Sequence, residues 1–218
     1  MRSFKSVFKR FGGEYIPDII EYIKNYLKNI PTATITVGCD SIQKRRRTLY
    51  AVTIMLYDND IKNGAHVVFF RESCSKIRDN NERLYKEAQY LHDVATYLDK
   101  ELSDFYVRKD LSDFERKRYK FHLAKCNQEY QGLPFHLESN VVKNITLTDS
   151  DRVDYRLVDI HIDFNPNEGR KNEKGIGTNK SYAAYKSYTP WLRGLGFRVW
   201  AKPCSPAAST AADLLLQD

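Results

Sequence analysis

Three runs rich in β-branched and aromatic residues, at 33–40, 48–58 and 65–72, most constrain what this chain can become. A knot of cations, Lys44, Arg45, Arg46 and Arg47, separates the first two, and DNDIKNG, a strong turn signal, separates the second from the third. Connections this short join neighbouring strands antiparallel, so the runs are expected as consecutive hairpins. Residues 80–100, NNERLYKEAQYLHDVATYLDK, follow, and Leu84, Ala88, Leu91, Ala95 and Leu98 step by four and three. That spacing predicts a helix with one buried face. Strands followed by such a helix imply a sheet with helices packed on it.

The remaining segments extend this pattern. Residues 17–29 are expected as a first helix: Pro17 suits its first turn, Asp18 complements its dipole, and Ile19, Ile20, Ile23 and Leu27 form a stripe. RLVDIHIDFNP, residues 156–166, alternates: Leu157, Asp159, His161 and Asp163 share one parity, and Val158, Ile160, Ile162 and Phe164 the other. It is read as a strand with one apolar and one acid-bearing face. A helix-like SYAAYKSYTPWLRGLG, a strand at 197–203 and a short terminal helix from Pro206 complete the order. The expected fold class is α/β, a mixed five-stranded sheet of three antiparallel and then two parallel strands, flanked by helices. Residues 1–218 are read as one domain, with an N-terminal helical extension at 1–30 and a helical insertion at 101–150. Phe4, Phe8 and Phe11 recur at helical spacing, which suggests an amphipathic arm packed on the domain or on a partner.

Composition narrows the function classes. No apolar stretch approaches the ~20 residues that a membrane helix needs, and MRSFKSVFKRF lacks the apolar core of a secretory signal. The four cysteines, Cys39, Cys74, Cys126 and Cys204, are scattered, so free thiols and a cytoplasmic location are expected. His122 and Cys126 share a spacing suited to one helix face, but two ligands do not close a zinc site. A net charge of +7 and a pI near 9.1 favour an anionic partner such as nucleic acid. The 101–150 stretch, with Arg, Lys, Tyr and Phe interleaved, suits phosphate contact with base stacking and equally suits a solvated amphipathic helix. The sequence does not specify an oligomeric state.

Four acids sit where elements begin or end, or on a buried stripe: Asp40, Glu87, Asp163 and Asp213. Glu87 lies on the apolar stripe of its helix, which suits a satisfied core acid, an acid reaching out at the stripe's edge, or a ligand to a cation. If the strands bearing Asp40 and Asp163 are neighbours, the two carboxylates stand side by side. They then repel unless a cation or proton lies between them. A hard divalent ion, Mg²⁺ or Mn²⁺, is the natural occupant, because such ions prefer carboxylate oxygen.

VGCDSIQ, HIDFNP and KPCSPAASTAAD, in this order of elements, resemble the ribonuclease H-like superfamily and within it a small bacterial family of ribonuclease H-like proteins. The resemblance covers 33–100 and 155–216. It implies that Asp40 bridges two metal ions, that Glu87 is the helix acid, Asp163 the fourth-strand acid and Asp213 the acid of the final helix. Asp159 shares a face with Asp163 and is an alternative to it as a ligand; Glu82 is a weaker rival to Glu87. The implied activity is metal-dependent hydrolysis of phosphodiester bonds in DNA, RNA or a hybrid.

Lys44, Arg45, Arg46 and Arg47 then read as a phosphate grip beside Asp40, or as an ordinary charged hairpin tip; Lys202 reads as a further phosphate contact or a loop residue. GIGTNKS, residues 175–181, fails the phosphate-loop spacing, and Gly175, Gly177 and Lys180 suggest a loop beside the nucleic acid. The competing function is a nucleic-acid-binding module without catalysis.

Overall fold

The computed structural model describes residues 4–30, 33–57, 65–107, 156–169, 179–202 and 204–217. The chain divides into two units, Met1–Phe105 with Arg156–Asp218, and Tyr106–Tyr155. The first unit carries the sheet and the candidate site.

In chain order the elements are β1 (Lys9–Arg10), α1 (Ile19–Asn29), β2 (Thr34–Gln43), β3 (Arg47–Tyr57), β4 (His66–Ser75) and α2 (Asn80–Val107). There follow β5 (Val158–Ile162), α3 (Tyr182–Gly194), β6 (Arg198–Trp200) and a terminal π-wound helix, α4 (Ala207–Ala212). The six-stranded sheet has the order β1-β4-β3-β2-β5-β6. β2, β3 and β4 pair antiparallel as consecutive hairpins, while β5 joins β2, and β6 joins β5, in parallel. The expected five strands are thus present, and the sixth is β1, two residues pairing with the edge of β4 through Lys9 and Phe69.

Local chemistry explains most boundaries. Asp18 caps α1, its Oδ1 accepting from the backbone N–H of Ile20 at 3.0 Å and of Glu21 at 3.2 Å. Asp79 does the same for α2 through Glu82 N–H at 2.7 Å. β2 continues past Asp40 to Gln43, so Asp40 lies inside the strand and does not close it. Lys44 N–H bonds to Arg47 C=O at 2.9 Å, closing the basic hairpin turn. On β5 both faces are buried, not one, since helices cover the sheet on either side.

Helices α1, α2 and α3 share one face. Tyr22 of α1 bonds to His66, Tyr90 of α2 meets Tyr50 and Phe70, and Tyr188 of α3 meets Phe164. The N-terminal segment packs there too, but not as a helix: Phe4 and Phe8 are buried against Phe70, whereas Phe11 is exposed.

The other face holds α4. Its alanines, Ala207, Ala208, Ala211 and Ala212, are all buried, which lets its backbone lie almost on the strands. Gly38 makes this possible, because a Cβ there would stand 2.3 Å from the Ala207 carbonyl carbon. Thr53 Oγ1 donates to Ala207 C=O at 2.8 Å, and Ala207 N–H donates to His161 Nδ1 at 3.2 Å. Ala51, Phe69, Ala212, Leu215 and Leu216 form the apolar cluster beneath the end of the chain.

No helix among the described residues is long and apolar enough to cross a membrane. Cys39, Cys74 and Cys204 are not in disulfides. Cys126, His122, Gly175, Gly177 and most of the 101–150 segment lie outside the described residues.

Candidate active site

Register places the two central acids together. β2 and β5 run parallel with Gly38 beside His161 and Cys39 beside Ile162. One residue further along, Asp40 and Asp163 fall in the same row and, by the alternation of strands, on the same face. That face also carries α4, which ends at Asp213.

The charges act on one another. Burial and the neighbouring carboxylates of Asp163 and Asp213 push Asp40 up to about 6, against the pull of the Ser41 N–H bonded to its Oδ1 at 2.7 Å. Asp163 is likewise raised by burial, opposed by Lys202, whose Nζ lies 2.8 Å from Oδ2. Oδ1 of Asp163 is buried and has no hydrogen-bond partner. An orphaned carboxylate oxygen beside a second raised carboxylate is an environment that a hard cation satisfies. Asp213 is exposed at the end of α4, its Oδ2 accepting from Gln217 Nε2 at 3.0 Å.

Glu87 stands on the opposite face of β2 and is only 1% exposed. Burial, then Asp40, raises its pKa well above the ordinary carboxylate range. Ser41 Oγ donates to its Oε1, and Arg83 Nη1 lies 3.1 Å from the same oxygen. Arg83 also bonds to Ser41 C=O at 3.0 Å and, through Nη2, to Asn80 Oδ1 at 2.9 Å. Glu87 is thus a satisfied core acid, close enough to feel Asp40 and Asp163. Glu82, its rival, is exposed on the first turn of α2.

Asp159 is not brought to this group. It sits beside Thr36, four residues back along the strand from Asp163, and is buried against Arg198 Nε at 2.5 Å. Arg45, Arg46 and Arg47 are exposed on the β2–β3 turn, and Lys44 is half-buried there, just past the end of β2 and four residues beyond Asp40. Lys180 is exposed, and its backbone carbonyl accepts from Asn80 Nδ2 at 3.2 Å, tying that loop to the start of α2. Among the described residues, no three His, Cys, Asp or Glu side chains already converge on one point suited to a metal ion.

Sequence reasoning passed over Ser41, Arg83 and Asn80. The available signal for Arg83 was its place one helical turn before Glu87, a spacing that brings two charges together. Ser41 carries no comparable signal, because its role depends on a helix 46 residues away in the chain.

A family model described as Ribonuclease H-like matches residues 14–128. The chain belongs to the ribonuclease H-like family. The match reaches further than the sequence resemblance, taking in α1 and entering the 101–150 segment, and it ends before β5. Within this ribonuclease H-like match lie Asp40, Ser41, Arg83 and Glu87, while Asp163, Lys202 and Asp213 lie beyond it. No curated protein and no solved structure matches the chain.

Proposed function

We propose that this ribonuclease H-like protein is a metal-dependent nuclease that hydrolyses phosphodiester bonds in DNA, RNA or an RNA–DNA hybrid. Asp40 and Asp163 are the primary ligands of Mg²⁺ or Mn²⁺, and Asp213 completes the set from α4. The observation that carries this reading is the pairing of Asp40, held near 6 by burial and by its neighbours, with the orphaned buried Oδ1 of Asp163.

Bound divalent cations supply hydroxide at neutral pH and neutralise charge on the leaving oxygen, the two requirements of in-line phosphodiester hydrolysis. The chain's own task is positional. Asp40 and Asp163 present hard oxygens from adjacent rigid strands, which aim side chains more firmly than loops do. Glu87 anchors Arg83 and Ser41, fixing the start of α2 against β2 and keeping the Asp40 backbone in place. The exposed Arg45, Arg46 and Arg47 hold backbone phosphates, and Lys202 contacts the phosphate once it leaves Asp163.

The test is cleavage of labelled single-stranded, duplex and hybrid substrates across a Mg²⁺ or Mn²⁺ titration, with Asp40→Asn alongside. Metal-dependent cleavage that disappears in the variant supports the proposal; cleavage that survives removes Asp40 from the chemistry. One observation favours a second reading, a binding module on the same fold: no three ligands already converge among the described residues. That reading expects salt-dependent nucleic-acid binding with no cleavage at any metal concentration.

A further inference from the structure

The face that carries Asp40 and Asp163 continues across the sheet to a patch of rings and cations at the N-terminal edge. Cross-strand pairing runs from Asp40 to Ala51 and from Ala51 to Arg71, so Arg71 shares the row of the acids, two strands away. At the usual strand spacing that is about 10 Å. The adjacent row runs Gly38, Thr53, Phe69, Lys9, ending on β1. Lys9 also bridges Tyr15 across a hairpin that turns at Gly13, whose φ of 87° is left-handed.

Cations and rings interleave here. Lys9 Nζ lies 4.2 Å from the Tyr15 ring centre, the Arg71 guanidinium carbon 5.7 Å from that of Phe69, and the Phe11 ring 5.8 Å from Phe69. Phe11 is 54% exposed and Tyr15 64% exposed. The same segment buries Phe4 and Phe8 almost completely, so it has apolar space for its rings and leaves these two out. Glu14, the acid within the hairpin, is paired with Arg10 at 2.9 Å, and among Lys9, Arg10, Glu14 and Arg71 cations outnumber acids.

We infer that Lys9, Phe11, Tyr15 and Arg71 form a docking site for single-stranded nucleic acid, holding nucleotides that flank the bond at Asp40. The link to that bond rests on the proposed nuclease activity; the binding itself does not. Charge complementarity selects a polyanion, and exposed rings between cations select unpaired bases, because every base has a face that stacks on an aromatic side chain. A duplex hides those faces and offers only its backbone and edges.

Fluorescence anisotropy of an end-labelled single-stranded oligonucleotide, and of a duplex of equal length, tests this with EDTA present, so that hydrolysis plays no part. The double variant Phe11→Ala/Tyr15→Ala is expected to bind the single strand about tenfold or more weakly, the effect of losing base stacking. Duplex affinity should move less than about threefold. Phe11→Tyr/Tyr15→Phe keeps both rings and is expected to bind as the wild type does, which separates stacking from damage to the hairpin. Unchanged single-strand affinity in the alanine variant overturns the inference, as does an equal loss for both substrates. Failure of the wild-type chain to bind any nucleic acid overturns it as well and leaves the patch to a protein partner. A chain that cleaves but is indifferent to Phe11 and Tyr15 loses only this site; one that shows the stacking effect but never cleaves loses only the nuclease.

Discussion

Lys202 holds Asp163 through a 2.8 Å contact to Oδ2, on a carboxylate whose other oxygen is buried without a partner. The ammonium therefore occupies ground that a divalent cation needs. Its side chain is 42% exposed, so water already screens the pair and the contact is exchangeable.

Replacing Lys202 with Met should strengthen Mn²⁺ binding several-fold, because a competing positive charge is removed from the ligand set. Isothermal titration at pH 8 measures this directly. Equal or weaker binding in Lys202→Met would show that Lys202 does not compete for Asp163.

Asp40 makes the metal-free protein sensitive to pH. Its folded pKa of about 6 lies above the ordinary value of 3.8, so between these limits the folded chain binds more protons than the unfolded one. Stability from this group is complete below about pH 4 and is lost as pH rises through about 6. Asp40→Asn should thus stabilise the metal-free chain at pH 7.5 by on the order of 1–3 kcal/mol, several degrees in Tm. Thermal unfolding in EDTA at pH 7.5 and pH 3.5 checks it, since the advantage should vanish at the lower pH.

The Arg83–Glu87 pair should behave as a buried hydrogen-bonded pair, because burial favours the neutral carboxyl. Arg83→Met removes one donor to Glu87 Oε1 and leaves Ser41 Oγ in place, and is expected to cost about 1–3 kcal/mol. Arg83→Met/Glu87→Leu removes both polar groups and should recover most of that loss. Urea unfolding of the two singles and the double gives the coupling. A double variant no more stable than Arg83→Met would mean that the cost lies in the bonds to Ser41 and Asn80.

Gly38 carries no chemistry yet should control the site. Gly38→Ala forces a Cβ onto the backbone of Ala207. Backbone cannot yield as a flexible side chain does, so α4 must lift, taking Asp213 with it. The expected signs are a loss of about 2 kcal/mol or more and faster proteolysis near the C-terminus. Undisturbed stability and protection would contradict the close packing of α4.

Much of this architecture was readable because periodicity reports burial directly. The three hairpin strands, the stripe of α2 and the parity of β5 each follow from which side chains must leave water; parity put Asp163 on the acid-bearing face of its strand, and the register with β2 makes that the face of Asp40. What stayed hidden depends on long-range partners. β1 is two residues long and exists only because β4 offers an edge to Lys9 and Arg10. Asp159 and Asp163 share a parity, and only the pairing with Thr36 shows that Asp159 belongs to the other end of the strand. The bond from Ser41 to Glu87 joins residues with no local signal between them. Lys202 read as a phosphate contact or a loop residue; its contact with Asp163 joins residues 39 positions apart and has no local signal.

The most direct test is anomalous diffraction from crystals soaked in Mn²⁺. Density between the carboxylates of Asp40 and Asp163, with Lys202 moved off Oδ2, is the expected result. Manganese-free carboxylates at saturating metal, with Lys202 still bound to Asp163, would contradict the account.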